Sequence, residues 1–158
     1  MKKFLHFLSY CSNLLTQPLD WLAPFFALAV RLYIGYTYFW SGWLKTQSWS
    51  STLYLFENEF HVYLLPPHVA AYLGTAVELI VPFFLILGLG ARLPALVAFV
   101  FNVVMVVSYP ILLTPEGACM VKDHYLWGAL TAMLMFYGHG KLSLDHLLQK
   151  KVCPEYQY

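Results

Sequence analysis

Four long apolar stretches constrain the fold of this chain more than any other feature of its sequence. They cover residues 21–44, 68–89, 93–113 and 120–138. A helix needs about 20 mainly apolar residues to cross the hydrocarbon core of a bilayer. Isolated strands cannot cross it, because their backbone polar groups would stay unpaired in lipid. The sequence therefore predicts an all-α membrane protein, a bundle of four transmembrane helices in contact with the lipid bilayer.

The composition favours the same class of protein. Of the 158 residues, 60% are hydrophobic and 11% are charged, whereas an average soluble domain has roughly 45–50% apolar and about 25% charged residues. The net charge is +1, which provides no basic surface for nucleic acid, so we expect no nucleic-acid partner. A chain of this length is expected to form one compact unit.

The two ends of the chain differ from its apolar middle. Residues 1–20 start with two lysines and a short apolar run, without a small-residue cleavage site, so we interpret them as an amphipathic segment in the membrane interface. Residues 139–158 predict a cytoplasmic amphipathic tail with a short helix capped by Ser143. The expected organisation is a four-helix domain over 21–138 with short interfacial helices at both termini.

Lysine and arginine are distributed unequally between the two ends of the predicted bundle. One end carries Lys2, Lys3, Arg92, Lys141, Lys150 and Lys151. The opposite end carries Lys45 and Lys122. Positively charged residues favour the cytoplasmic side of a membrane. We therefore expect both termini in the cytoplasm and loops 46–67 and 114–121 outside.

Three polar side chains lie inside the predicted spans. Arg31, Glu78 and Asn102 are ten or eleven residues from the expected cytoplasmic ends of their spans, which corresponds to ~15–16 Å at the helical rise. An isolated charge at that depth costs at least ~2.5–3.5 kcal/mol, whereas a guanidinium and a carboxylate neutralise each other. We therefore expect Arg31 to pair with Glu78 beside Asn102. Two interpretations stay open: a device that fixes helix register, or a polar intramembrane pocket.

A second polar cluster is expected at the outer face of the membrane. It consists of Lys45 at the end of the first span and of Asp123, His124 and Trp127 at the start of the fourth. The outer end is also rich in tryptophan, as the aromatic belts of membrane proteins are. The alternative interpretation is an aromatic-lined pocket or a covered external loop.

Candidate metal ligands are found near the same face. They are Glu57, Glu59, His61, His68 and His124. Imidazole and carboxylate groups are accepted by zinc and by other transition metals, although the spacings match no metal-binding motif. The alternative interpretation of that histidine is a contact with Asp123 or a hydrogen bond in the neighbourhood of Lys45.

Three segments of the sequence resemble the DoxX family. They are RLYIGYTYFWSGWLK (31–45), AYLGTAVELIVPFFLILGLGARLPAL (71–96) and HYLWGAL (124–130). By position, the residues that match the family pattern are Arg31, Lys45, Glu78, Arg92 and His124. The loop 46–67 and the segment TPEGACMVKD depart from that pattern.

This resemblance implies a four-helix protein of the bacterial inner membrane. Some relatives are subunits of a thiosulfate:quinone oxidoreductase, and others are linked to thiol or oxidative-stress complexes or to metal-handling operons. The resemblance thus suggests an integral membrane subunit that binds a quinone or a similar amphiphile in the polar pocket and supports a redox partner. The sequence has no haem, flavin or iron–sulfur motif, so its residues alone form no redox centre. Whether the chain takes a catalytic part in a quinone-linked oxidoreductase stays open.

Two further functions are compatible with the sequence. One is a non-enzymatic membrane scaffold that holds a protein partner through the loop 46–67. The other is a metal-handling accessory protein that acts at its outer face. Assembly into a homo-oligomer is compatible with each of the three functions.

Overall fold

All regular secondary structure in the computed structural model, which describes residues 2–90, 92–138 and 140–152, is helical. The helices are α1 (Lys2–Gln47), α2 (Trp49–Asn58), α3 (Pro67–Leu87), α4 (Leu93–Ser108), a 3-10 turn (Pro110–Leu113), α5 (Ala118–Tyr137) and α6 (Leu144–Val152). The all-helical class predicted from the sequence is confirmed.

Two helical segments are long and apolar enough to cross a membrane, Thr16–Gln47 of α1 and the whole of α3. Helix α4 is apolar but shorter, with 16 residues. Large apolar side chains face outward from these helices, among them Trp21, Phe25, Phe83 and Phe84. Soluble monomers rarely expose contiguous apolar patches larger than a few hundred Å². Such a surface suits contact with lipid.

Helix α1 runs without a break from Lys2 to Gln47, a length of ~69 Å at the helical rise. The predicted boundary between an interfacial segment and a span at residue 21 is therefore not marked by a helix end. Pro18 and Pro24 both lie inside this helix. Each proline removes only one backbone donor, so the helix continues past both. The side chains described begin at Thr16, and the interfacial location of the first residues stays a prediction.

Helices α1 and α3 pack closely in antiparallel orientation. A Cβ atom added at Gly35 would lie 2.5 Å from Cγ1 of Ile86, and one added at Gly42 would lie 2.8 Å from Cβ of Glu78. Both distances are too short for a real contact, so the glycines permit this approach of the two backbones. Residue 35 is thus level with residue 86, and residue 42 is level with residue 78.

This register places Arg31 and Glu78 at different levels of the bundle. Arg31 lies against Gly88, the residue with φ of 67° that ends α3, whereas Glu78 lies against Gly42. From residue 31 to residue 42 is eleven residues, or ~16 Å along the helix. The expectation of a single depth is wrong, because α1 begins well before residue 21 and is shifted along α3 relative to the predicted ends.

Helices α1, α3, α4 and α5 share one apolar core. Its buried members are Val30, Ile34, Tyr38, Val81, Leu85, Ala95, Ala98 and Leu134. Small alanines on α4 let it approach the larger side chains of α1 and α5. The four longest helices therefore form one bundle, and the crossing of the membrane by all four stays a prediction.

Helix α2 packs on the bundle where α1 ends and α3 begins. Phe56 of α2 is buried against Ala70 and Ala71 of α3. The hydroxyl of the buried Thr52 donates a hydrogen bond of 2.9 Å to the carbonyl of Lys45. Most of the loop 46–67 is therefore a folded part of the bundle, at what we call the α2 end.

Helix α6 packs at the opposite end, which we call the α6 end. The hydroxyl of Ser143 accepts a 3.2 Å hydrogen bond from the backbone N–H of His146, which confirms the predicted helix cap. The backbone N–H of Asp145 donates to the carbonyl of Gly88 at 3.2 Å. The C-terminal tail is thus attached to the turn between α3 and α4, while residues 139 and 153–158 lie outside the described part of the chain.

Candidate functional site

A cavity of about 310 Å³ lies between the four long helices at the α2 end. Its polar lining consists of Thr37, Ser41, Lys45, Glu78, Asn102, Asp123 and His124. Its aromatic and apolar lining consists of Tyr38, Phe60, Phe101, Met105, Tyr109, Leu112, Met120 and Trp127. Two clusters that the sequence predicted separately, the intramembrane polar residues other than Arg31 and the outer-face cluster, therefore line one cavity.

The strongest electrostatic contact in this cavity joins Lys45 to Glu78. The ammonium Nζ lies 2.6 Å from Oε2 and 2.7 Å from Oε1 of the carboxylate. The hydroxyl of Ser41 donates to the same carboxylate at 3.1 Å. Ser41 and Lys45 are four residues apart, so they lie on one face of α1. The carboxylate inside the apolar helix α3 is thereby neutralised and hydrogen-bonded.

The predicted pair of Arg31 with Glu78 is wrong. Arg31 is fully buried at the α6 end, where its Nη2 donates to the carbonyl of Leu142. Its Nε and Nη1 have no hydrogen-bond partner among the described residues. The register of α1 explains the error, because it brings Lys45 rather than Arg31 to the level of Glu78. Arg31 therefore belongs to the contact between α1 and the segment that precedes α6, and it lies outside the cavity.

Asn102 and His124 form a second polar pair in the cavity wall. The amide Nδ2 of Asn102 donates to the backbone carbonyl of His124 at 2.9 Å, so its Oδ1 is the acceptor for Nδ1 of the imidazole, also at 2.9 Å. In the neutral ring the proton is then on Nδ1, and Nε2 keeps its lone pair. The alternative interpretation expected a contact of His124 with Asp123. The hydrogen-bond partner of its side chain is Asn102 instead.

Aromatic rings form the inner wall of the cavity. The ring of Tyr38 lies 6.0 Å from that of Phe101 and 6.5 Å from that of Trp127. The hydroxyl of Tyr38 donates to the carbonyl of Ala98 at 3.1 Å, which fixes its orientation. Trp127 therefore lines an aromatic-walled pocket, which was the alternative to an interface belt.

The segment that follows α2 is attached to the edge of the cavity. The rings of Phe60 and Tyr109 are 4.6 Å apart, and the hydroxyl of Tyr109 donates to Oε2 of Glu59 at 2.9 Å. This hydrogen bond raises the pKa of the Tyr109 hydroxyl, so it stays protonated as a donor. Phe60 and Tyr109 were not predicted, because neither motif nor spacing distinguishes them from the other aromatic residues.

The five candidate metal ligands do not come together. Nδ1 of His61 lies 3.1 Å from the backbone carbonyl of Glu59, His68 and Glu57 are exposed, and His124 is hydrogen-bonded in the cavity wall. Within the described ranges, no group of three or more His, Cys, Asp or Glu side chains could hold a metal ion. The metal site predicted from these residues is therefore wrong.

Comparison with known proteins assigns the family. A model of the DoxX family matches residues 26–110, which is 85 of the 158 residues and more than half of the chain. The chain belongs to the DoxX family. The resemblance predicted from the sequence is confirmed, and together with the apolar helices it identifies a membrane protein of that family that contacts lipid. No curated protein and no solved structure matches the chain.

The DoxX match covers only part of the cavity. Lys45, Glu78 and Asn102 lie within the matched residues, whereas His124 and Trp127 lie on α5, beyond them. The ion pair is thus part of the matched family region. The histidine and the tryptophan complete the cavity from a helix to which the family match does not extend.

Proposed function

We propose that the cavity binds the head group of a quinone or of a similar amphiphile, and that this DoxX-family protein serves a redox partner as its membrane subunit. One observation carries the proposal: the Lys45–Glu78 and Asn102–His124 pairs line the same aromatic-walled cavity. A proton donor and a proton acceptor thereby face one small cavity within an apolar bundle.

The residues of the cavity fit such a head group in size and in chemistry. Small-molecule sites typically have volumes of roughly 300–1,000 Å³, and this cavity, at about 310 Å³, lies at the lower end of that range. A quinone carbonyl accepts hydrogen bonds, and the ammonium of Lys45 can donate one to it in exchange for its 3.0 Å bond to the Ser41 hydroxyl. The flat rings of Tyr38 and Trp127 provide the apolar surface that an aromatic head group packs against.

A quinone, when bound, would become a quinol by taking up two electrons from a redox centre of the partner protein and two protons from the cavity. The protein residues hold and move the protons. Glu78 holds the half-buried Lys45 ammonium in the cavity wall, with Nζ 2.6 Å from its carboxylate. Nε2 of His124 accepts a proton from the quinol hydroxyl, or returns one, because Nδ1 is already hydrogen-bonded.

The proposed topology has α1, α3, α4 and α5 crossing the inner membrane of a bacterium. An even number of crossings leaves both termini on one side. Arg92 and Lys141 lie at the α6 end, which the positive-inside rule then places in the cytoplasm. The cavity opens toward the opposite, outer face, where Lys45 ends the first span.

The proposal is tested by titrating the purified protein in detergent with a decyl-tailed benzoquinone and following tryptophan fluorescence, which quinones quench. We expect saturable quenching for the wild-type protein. The double variant Lys45→Met, Glu78→Gln removes both charges without leaving one unpaired, and we expect it to bind at least about tenfold more weakly. The exposed Lys122 provides a matched control, since Lys122→Met should bind normally. The proposal fails if the wild-type titration shows no saturation or if the double variant binds as tightly.

A further inference from the structure

A second concavity of about 290 Å³ lies on the outer surface of the bundle between α4 and α5. We call it the α4/α5 groove. Val103 and Val107 of α4 and Ala129 of α5 line it and are exposed. The exposed fractions of the two valines are 44% and 56%. The groove is therefore an apolar channel on a surface suited to lipid.

The groove and the cavity share two residues, Asn102 and His124. Their hydrogen-bonded side chains form a thin wall with the cavity on one side and the groove on the other. Gly128 forms the groove floor beside this wall, because a Cβ atom there would lie 3.2 Å from Nδ2 of Asn102. One amide and one imidazole thus separate the interior of the bundle from its apolar surface.

We propose that the α4/α5 groove holds the apolar tail of the amphiphile whose head group occupies the cavity, and that the head group enters from the bilayer through the Asn102–His124 wall. This inference rests on the proposed function. The cavity is large enough for a head group but not for a long tail as well. The edge of the cavity at the α2 end carries Lys45, Asp123 and the Tyr109 hydroxyl, which do not suit an alkyl chain. The groove adjoins the cavity across the Asn102–His124 wall, and it is apolar and open to lipid.

The entry requires a local movement of the wall. His124 is held by one side-chain hydrogen bond, to Asn102, and its ring lies edge-on to that of Trp127 at 4.9 Å. Rotation of the imidazole therefore breaks one hydrogen bond and shifts one ring contact. An isolated hydrogen bond contributes about 0.5–1.5 kcal/mol. A quinone carbonyl that accepts a hydrogen bond from Nδ1–H of His124, or a quinol hydroxyl that donates one to Oδ1 of Asn102, would replace the broken contact.

The test compares two ligands and three variants by the same fluorescence titration. The ligands are the dimethoxy-methyl-benzoquinone head group alone and the same head group with a decyl tail. Val103→Phe and Ala129→Phe fill the groove from its two helices. Val104→Phe is the matched control, because Val104 is exposed on α4 but does not line the groove or the cavity. All three changes add apolar volume on the outer surface, where it is tolerated.

We expect both groove variants to bind the decyl ligand at least about tenfold more weakly than the wild-type protein, while head-group binding is unchanged and Val104→Phe alters neither. If only the tailed ligand binds the wild-type protein measurably, its selective loss in the groove variants still supports the inference. Unchanged decyl binding in both groove variants overturns it, and so does equal weakening of both ligands. A wild-type protein that binds neither ligand contradicts the proposed function itself.

Discussion

The ion pair of Lys45 with Glu78 shows why the chemistry of a single residue was predictable while its partner was not. A carboxylate in the apolar helix α3 requires a cation, and this requirement follows from the cost of an unpaired charge in lipid. Which cation fulfils it depends on how α1 is shifted along α3. That shift is set by the close approach at Gly42, and spacing along the chain does not reveal it.

Removing the cation alone should destabilise the protein strongly. Lys45→Met leaves the Glu78 carboxylate buried and unpaired, which costs roughly 3–5 kcal/mol. The double variant Lys45→Met, Glu78→Gln should regain most of that stability, because glutamine stays neutral and can still hydrogen-bond with Ser41. Thermal unfolding in detergent, compared with the exposed-site control Lys122→Met, measures both effects. Equal transition temperatures for Lys45→Met and the wild-type protein would contradict a stabilising role of the Lys45–Glu78 pair.

Among the helices, α1 shows the limits of reading boundaries from composition. Its apolar stretch predicted a span starting at residue 21, yet the backbone is helical from Lys2. Neither Pro18 nor Pro24 ends it. The predicted positions of α3, α4 and α5 agree closely with their observed bounds, except that α4 ends at Ser108 because Pro110 starts a separate 3-10 turn. Pro110 therefore marks the end of α4, whereas the two prolines of α1 mark no helix end.

Close packing of α1 on α3 predicts different effects for two glycines. Gly42→Ala places a Cβ atom 2.8 Å from Cβ and 3.1 Å from the backbone carbon of Glu78, so the helices must separate. Gly74→Ala meets its nearest neighbour, Cζ of Phe56, at 3.4 Å, an ordinary contact. Since alanine favours a helix over glycine by about 1 kcal/mol, we expect Gly74→Ala to be neutral or stabilising.

Gly42→Ala should instead lower the unfolding temperature and weaken quinone binding, because Glu78 is displaced from Lys45. Unfolding and binding measured on both variants test this difference. Should Gly42→Ala prove as stable as Gly74→Ala, the proposed role of this glycine in setting the register would have to be abandoned.

At the scale of the whole molecule, the described residues form a bundle of four long helices with the candidate site at one end. The α2 end contains the cavity, and the α6 end contains Arg31 and the C-terminal helix. From the sequence, the helical class, the family, five of the seven polar cavity residues and Trp127 could be predicted. The contributions of Phe60 and Tyr109 could not, because they depend on the folding of the loop 46–67 back onto the bundle.

Cys119 tests the proposed orientation of the bundle. It is exposed near the start of α5, at the α2 end, which the proposal places outside the cytoplasm. In a variant with Cys11 and Cys153 replaced by serine, a membrane-impermeant maleimide should label Cys119 in spheroplasts. Inside-out vesicles should be labelled only after the membrane is permeabilised. The reverse pattern would invert the proposed topology.

The most direct measurement of quinone binding is a map of where a photoreactive quinone attaches. An azido-benzoquinone with a decyl tail would be activated on the purified protein in nanodiscs, and the labelled residues identified by mass spectrometry. We predict labelling of cavity residues such as Met105, Met120 and Trp127 that an excess of unlabelled decyl-benzoquinone abolishes. Labelling confined to lipid-facing residues such as Phe83, or labelling that the competitor does not reduce, would contradict the account.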